Sequence, residues 1–282
     1  MPTGRGLVFK PGKQAPTYDH RDLRFGDFLP ISGLPNFPSP SGGYGYVFPV
    51  DGGWKMLGNG PCDDGSINST WAAFGGAGDC FWAGSAHEEM EMAHNAGRPI
   101  PQFTCLNILE QYAAYCNYNL QTGANDQGTM VRDGLQWRAT KGLLDVNGNA
   151  YKIGAYYSLE VGNHQQLWEA LYLGENIGIG IQFPESAMTQ FNNRKPWSVV
   201  AGTQIEGGHY VPLVGHPSQG MWTAITWGSR QMVTDAFLTT YLDEAWGYIS
   251  PDRYNRVTGE TLQHYKDADL EKYFALLFKS VS

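Results

Sequence analysis

The sequence of 282 residues is poor in charge, and its cations are not clustered. Charged residues make up 16% of the chain, the formal net charge is −8, and the lysines and arginines are scattered. Binding to a polyanion requires clustered cations that replace counterions. We therefore expect no nucleic-acid partner.

Long apolar runs are also missing. Stretches such as 177–181 are far too short to span a bilayer. The N-terminus has no apolar core of the kind found in signal peptides. The sequence predicts no membrane span and a cytoplasmic location, with a virion or secretion by another route as alternatives.

Cysteine is scarce, and no C-x-x-C pair occurs. The four cysteines are Cys62, Cys80, Cys105 and Cys116, too few for a disulfide framework. Cys105 and Cys116 lie about 16 Å apart along one predicted helix, so they cannot pair with each other. Cys62 could pair with either one in an oxidising compartment, but we expect reduced thiols.

No cofactor is predicted, and one cluster of possible metal ligands was weighed. His87, Glu91 and His94 share one face of a predicted helix. The H-E-x-x-H spacing of zinc proteases is absent. A solvated or packed helix face is the preferred interpretation, and no metal site is predicted.

Aromatic residues and glycine are abundant. The chain has 9 Trp, 16 Tyr, 13 Phe and 36 Gly, which is atypical of disordered chains and favours a compact globule rich in turns. Core packing is the default role of the large rings. A groove lined by Trp82, Trp222 and Trp227 that binds an extended peptide or a glycan is the alternative.

The predicted elements change from helices to strands along the chain, which favours an α+β fold. A proline-rich N-terminal extension (1–53), strap-like or prosegment-like, precedes a two-lobe domain (54–250), and a C-terminal extension (251–282) ends in an amphipathic helix. The lobes are helical at about 54–125 and sheet-forming at about 126–250. Helices are predicted at about 80–97, 104–116, 129–141, 164–173 and 233–245, and strands at about 177–183, 209–215 and 222–227.

A glycine loop delivers Cys80 to the start of a predicted helix. The loop reads Gly-Gly-Ala-Gly-Asp-Cys over 75–80. Unpaired N–H groups at a helix start favour the thiolate, which is the reactive form of cysteine. Gly78 leaves room for a substrate backbone. We expect Asp79 to cap the helix.

A thiol nucleophile needs a base within hydrogen-bond reach, and His209 is the best candidate. Two glycines precede it, Gly208 being the nearer, and an apolar strand follows. This places the imidazole at the start of a strand, where it can face a cleft.

These segments, in this order, resemble the papain-like cysteine peptidases, in particular divergent bacterial or phage members. The matching pieces are 19–23, 75–83, 127–135, 207–215 and 226–228. The resemblance implies a helical lobe and an antiparallel, barrel-like sheet lobe with the cleft between them. It assigns Cys80 as nucleophile and His209 as base, with Trp82, Trp227, Gly78 and Gly208 lining the substrate site.

Two positions of the family pattern differ. Phe74 stands where the family has its oxyanion-stabilising glutamine, and Ile225 where it has the asparagine that orients the histidine. Asn59 is the candidate replacement donor for the oxyanion, and Asn68 is a weaker one. Thr226 is the candidate that orients His209.

The resemblance implies a cysteine hydrolase that cleaves peptide or other amide bonds in a peptide or protein substrate. The departures keep an alternative open, in which the fold serves as a catalytically weak or inactive binding or structural component of a phage particle or surface assembly. An acyl-transferring relative that uses the same dyad is a further option.

Overall fold

The computed structural model describes residues 10–25, 44–45, 57, 62, 76–251, 258 and 261. The helices are α1 (Cys80–Asn95), α2 (Cys105–Cys116), α3 (Val131–Thr140), α4 (His164–Gly174), α5 (Glu185–Asn192) and α6 (Asp235–Tyr241). The strands are β1 (Tyr44–Gly45), β2 (Leu143–Leu144), β3 (Ala150–Tyr151), β4 (Ala155–Leu159), β5 (Ile177–Pro184), β6 (Ile205–Ser218), β7 (Met221–Thr226), β8 (Ser229–Thr234) and β9 (Leu242–Ile249).

The first half of the described chain folds as a helical lobe around the buried helix α1. Every residue from Cys80 to Ala93 is buried, and α2 and α3 pack against α1. Helix α2 begins at Thr104, whose hydroxyl accepts the N–H of Asn107, and ends at Asn117 in the left-handed region.

The second half forms an antiparallel sheet in the order β4-β9-β5-β6-β7-β8, with β1 paired to β6. Strand β5 alternates isoleucine and glycine. Its isoleucines belong to the apolar core of the sheet lobe. On the opposite face, the absence of a side chain at Gly178 lets the Tyr210 hydroxyl approach the strand closely. Gly180 does the same for the side chains of Lys13 and Glu244.

The structure corrects one predicted element. Residues 233–245 were expected to be helical, but α6 ends at Tyr241, and Leu242–Ile249 is a strand between β4 and β5. Pairing on both edges overrides local propensity there. Helix α3 packs in the same apolar cluster as α1 and α2, through Val131 and Leu135.

Two cysteines are bonded where reduced thiols were expected. Cys62 and Cys105 form a disulfide that ties position 62, which precedes the glycine loop in sequence, to the start of α2. Cys80 and Cys116 are free. The sequence could not predict this pairing, because the two cysteines lie 43 residues apart and meet only in the fold.

No helix in the described part of the chain is long and apolar enough to cross a membrane. The amphipathic helix predicted near the C-terminus lies outside the described residues, which include only Pro251, Thr258 and Thr261 of the extension 251–282.

Candidate active site

Cys80 is the first residue of α1, so its thiol lies at the helix end where N–H groups are unpaired. Its Sγ accepts the backbone N–H of Tyr210 at 3.4 Å, and the backbone N–H of Gly12 lies near enough to lower the pKa of the thiol slightly. The side chain is 1% exposed. The sulfur therefore lies between the helix start, strand β6 and the N-terminal segment.

His209 lies on β6, directly before the residue that bonds Cys80. Its Nε2 is 2.9 Å from Thr226 Oγ1, and its ring stacks on Trp227 with centroids 4.7 Å apart and planes 13° apart. Within the described structure Nδ1 has no hydrogen-bond partner. The imidazole is thus fixed through one nitrogen and one ring face, and its other nitrogen is available for proton transfer.

Tyr210 sets the register between β6 and α1. Its hydroxyl donates to Glu88 Oε1 at 2.7 Å, two turns along α1 from Cys80. Its ring fills a slot between two glycines: a Cβ at Gly84 would lie 2.9 Å from the ring, and one at Gly178 1.8 Å from the hydroxyl. The two ends of Tyr210 therefore hold the strand that carries His209 against the helix that carries Cys80.

The N-terminal segment Gly12–Gln14 covers this site. The Lys13 N–H donates to Gly208 O at 2.8 Å, while the Thr129 N–H donates to Gly12 O at 2.8 Å and the Gln14 N–H to Thr129 O at 3.0 Å. The segment pairs with the sheet lobe on one side and with Thr129, two residues before α3, on the other. We call residues 10–14 the strap.

Glycines permit the close fit of the strap. A Cβ on Gly12 would lie 1.9 Å from Gly78 O, and one on Gly208 2.3 Å from Lys13 O. Gly128, at φ +72°, would place a Cβ 2.1 Å from Gly12 O. Even the smallest side chain at position 12 is therefore incompatible with the strap in this place.

Burial keeps both members of the pair neutral in the covered state. Burial raises the pKa of the Cys80 thiol to about 12, against smaller opposing effects of the Tyr210 and Gly12 N–H groups. Burial lowers the pKa of His209 to about 3. In this covered state Cys80 is therefore a thiol and His209 a neutral imidazole at neutral pH.

The fold has counterparts among solved structures of cysteine proteases. Xylellain, a cysteine protease from Xylella fastidiosa, matches with a TM-score of 0.57 at 15% identity, over 88% of this chain and 99% of that one. This chain has a papain-like fold.

Further papain-like structures match with lower TM-scores. The cysteine protease CMS1MS2 of Carica candamarcensis has a TM-score of 0.46 at 14% identity, over 67% of this chain and all of that one. Procathepsin B of Trypanosoma congolense has a TM-score of 0.46 at 11% identity, over 62% of this chain and 70% of that one. No protein-family model matches the sequence, and no curated protein does.

The papain-like arrangement brings several predicted site residues together. Gly78 and Gly208 flank the strap, and Thr226 and Trp227 hold the His209 ring. Ile225 is buried, and the next residue supplies the contact to the imidazole. Thr226 ends β7 and Trp227 has a positive φ of 45°, so the chain turns where the hydroxyl meets Nε2.

Other predicted residues have different surroundings. Trp82 is fully buried, donates to Thr129 Oγ1 at 3.0 Å and packs on Trp137, so in this structure it is part of the core and not of a groove. Trp222 is also buried. Asn59, Asn68 and Phe74 lie outside the described residues.

Asp79 does not cap α1, contrary to expectation. No side-chain capping bond forms, and neither carboxylate oxygen has a partner in the described structure. Burial, with a further contribution from Asp126, raises the pKa of Asp79 well above its usual value. Asp126 instead holds the glycine loop before Cys80, since its Oδ1 accepts the Gly78 N–H at 2.9 Å, and it pairs with Lys10 of the strap.

The helix face weighed as a metal site is packed. His87 and Glu91 are buried, and Glu91 accepts the amide of Asn176 at 2.9 Å. Among the described residues, no group of three or more His, Cys, Asp or Glu side chains is arranged to hold a metal ion.

Three residues that the sequence did not single out shape the site: Lys13, Tyr210 and Asp126. Tyr210 directly follows the predicted base and could have been considered for that reason. The other two contact the site from positions distant in sequence, and no local pattern marks them.

Proposed function

We propose that this chain is a papain-like cysteine hydrolase of peptide or other amide bonds, held latent by its own strap. The observation that carries the proposal is the support of His209, whose Nε2 meets Thr226 and whose ring stacks on Trp227, directly before the residue that bonds the Cys80 sulfur. A histidine with one nitrogen fixed and the other free, next to a thiol at a helix start, has the parts of a nucleophile–base pair.

The reaction would proceed through an acyl-enzyme. Cys80 Sγ attacks the substrate carbonyl while His209 Nδ1 takes the thiol proton. His209 then donates that proton to the leaving amine, and the C–N bond breaks. Water, deprotonated by His209, hydrolyses the thioester and restores the thiol. The backbone N–H of Cys80 at the start of α1 is the donor we assign to the oxyanion.

The strap explains why both groups are buried in this state. Removing Gly12–Gln14 from the cleft would admit water, and the cause of both pKa shifts is burial. The thiol pKa would then fall and the imidazole pKa would rise, which favours the thiolate–imidazolium pair. Latency and catalysis are two states of the same site in this proposal.

The test uses Gly12→Ala as a strap-release variant and Gly154→Ala as its matched control. A Cβ at Gly154 meets only Ile249 O, at an ordinary 3.6 Å. Displacement of the strap is measured independently by trypsin cleavage after Lys13, which is buried in the covered state. Alkylation by iodoacetamide is followed by peptide mapping from pH 5 to 9, with free Cys116 as internal reference.

We expect Cys80 to be inert in the wild type and in Gly154→Ala, and to react below pH 7 in Gly12→Ala. Each unit by which the thiol pKa falls raises the thiolate fraction by about tenfold. Adding His209→Ala should abolish the reaction at low pH, and Thr226→Val should weaken it, with Thr226→Ser restoring it. Cleavage of a mixed peptide library by Gly12→Ala, absent in Gly12→Ala/Cys80→Ala, completes the test.

The alternative function is a binding or structural component without catalysis. It is favoured by the full burial of Cys80 and His209. Suppose that trypsin cuts Gly12→Ala after Lys13, but that alkylation gives Cys80 the pKa of an ordinary thiol both with and without His209. The hydrolase proposal is then wrong, and the alternative stands.

We also propose that the protein works in an oxidising compartment, so the secreted alternative replaces the cytoplasmic one. The Cys62–Cys105 disulfide supports this, because such bonds persist mainly outside the reducing cytosol. Mass spectrometry of alkylated protein taken from its native cells would find Cys62 and Cys105 unmodified if this is correct, and both alkylated if it is wrong.

A further inference from the structure

Lys13 of the strap places its side chain in a buried acidic pocket beside the candidate active site. Its Nζ lies 2.9 Å from Glu244 Oε1 and 3.1 Å from Asp243 Oδ2, and the side chain is 1% exposed. Nζ also donates to Gln14 O at 2.9 Å. A lysine buried to this degree needs such partners, since burying an unpaired charge is costly.

The pocket fits an unbranched chain that ends in a cation. Gly180 forms its floor, where a Cβ would lie 2.5 Å from Lys13 Cε and 2.6 Å from Glu244 Cγ. Glu244 is held in place by the indole N–H of Trp246 at 2.9 Å. Gly180 and Glu244 are paired across β5 and β9, so the pocket is built on the sheet and not on a loop.

The carboxylates need a cation. Burial raises the pKa of Glu244, and the nearby Lys13 ammonium opposes that rise. If the strap leaves, Glu244, 2% exposed, and Asp243 lose the cation that pairs with them. An incoming ammonium or guanidinium group would restore the pairing.

The backbone of Lys13 makes contacts that an extended peptide could also make. Its N–H bonds Gly208 O, the carbonyl directly before His209, and Thr129 pairs with its neighbours. Main-chain pairing of this kind supplies affinity, and pockets for side chains supply specificity. The residue paired with Gly208 is therefore both next to the dyad and over the acidic pocket.

We propose that the pocket formed by Gly180, Asp243 and Glu244 is a recognition subsite for a lysine or arginine side chain of a peptide substrate, and that Lys13 occupies it as an internal substitute. The inference rests on the proposed function for its substrate, but binding at the subsite can be measured without turnover.

The test is a binding experiment and a cleavage experiment on the full chain with a displaced strap. Calorimetry measures the affinity of Gly12→Ala/Cys80→Ala for uncleaved peptides in which each position in turn carries lysine, norleucine or glutamate. Norleucine matches the length of lysine without its charge. The same peptides, with a fluorophore and quencher, give kcat/KM for Gly12→Ala.

At one position we expect lysine to bind at least about tenfold more tightly than norleucine, with glutamate weaker still. Glu244→Gln should reduce that preference to about threefold or less, and Asp243→Asn should reduce it partly. Glu206→Gln is the control, because it removes a charge from an exposed residue of β6 near the cleft. That variant should keep the preference.

The outcomes separate the two proposals. Lysine preference in binding without any cleavage supports the subsite and contradicts the hydrolase. If peptides with lysine and with norleucine bind with equal affinity, or are cleaved with equal kcat/KM, at every position, the subsite proposal is wrong. The hydrolase proposal is unaffected by that result. A preference that survives Glu244→Gln and Asp243→Asn also overturns the subsite, because the charge would then be read elsewhere.

Discussion

The two lobes position their halves of the site by different means. In the helical lobe, α1 is held by buried charges and directed hydrogen bonds. In the sheet lobe, His209 is held mainly by the shapes of the rings around it. The two kinds of support meet at Tyr210, whose backbone belongs to β6 and whose hydroxyl belongs to the polar network of α1.

The helical lobe has an ion cluster in its interior. Arg138 is fully buried and pairs with Glu88 and Glu89, and its guanidinium also lies 4.6 Å from the centroid of the Tyr248 ring. Asn176 joins the same region, donating to Glu91 and accepting from the Tyr248 hydroxyl. Such contacts have direction, so they fix the rotation of α1 and therefore the position of Cys80.

The sheet lobe relies on ring packing. Trp227 stacks on His209 and meets the edges of Phe183 and Phe191, while Trp197 stacks on Phe237. Thr226 is the one polar side chain of the described structure that bonds the imidazole. Rings fix the plane of the histidine, and one hydroxyl fixes its rotation. The position of Cys80 therefore depends on the balance of buried charges, and the position of His209 depends on the volume of the rings around it.

The largest effect is expected from breaking the ion cluster. Arg138→Met leaves Glu88 and Glu89 buried without their cation, and such a loss costs about 3–5 kcal/mol of unfolding free energy. Guanidinium chloride unfolding measures it. The triple variant Arg138→Met/Glu88→Gln/Glu89→Gln removes the unpaired charges and should recover most of the loss. A loss below about 1 kcal/mol for the single variant would show that the cluster does not hold α1.

Removing the disulfide comes next. Cys62→Ser/Cys105→Ser releases a loop of 43 residues, which the chain-entropy estimate values at about 4 kcal/mol. Thermal unfolding should show this loss in the helical lobe, while Cys116→Ser, which removes a free thiol, should leave stability within about 0.5 kcal/mol. Equal stability of the double variant and the wild type would contradict the crosslink.

Local patterns were sufficient to predict much of the fold. The glycine loop, the start of α1 at Cys80 and the strand at His209 follow from turn chemistry and periodicity, and so does the isoleucine alternation of β5. Strand β9 was missed because its identity depends on pairing with both β4 and β5. A segment of this kind can be helical by pattern and extended in the fold.

The candidate site was predictable only in part, for the same reason. Cys80, His209 and Thr226 lie at positions that a motif can mark. The strap contacts join residues far apart in sequence, such as Lys13 with Glu244 and Lys10 with Asp126. Gly12 and Gly78 approach each other, and Gly208 approaches Lys13, only in the folded chain. No periodicity carries that information.

The smallest effect is a difference in pH dependence between the lobes. His209 has a folded pKa of about 3, below its ordinary value of 6.5. Between these values the unfolded state binds more protons, so this group lowers stability as the pH falls, by up to about 1.4 kcal/mol per pH unit. His209→Gln should remove that dependence between pH 6.5 and 4.5, measured by urea unfolding at each pH.

Glu91 in the helical lobe should act with the opposite sign. Burial raises its pKa well above 4.5, so the folded state keeps a proton that the unfolded state releases. Its contribution therefore lowers stability as the pH rises above 4.5, and Glu91→Gln should remove that loss. Each variant is compared with the wild type at every pH, which cancels groups common to both. The two quantities compared are the differences in unfolding free energy between the wild type and His209→Gln and between the wild type and Glu91→Gln. If both change with pH in the same direction, the contrast between a buried acid in one lobe and a buried base in the other is wrong.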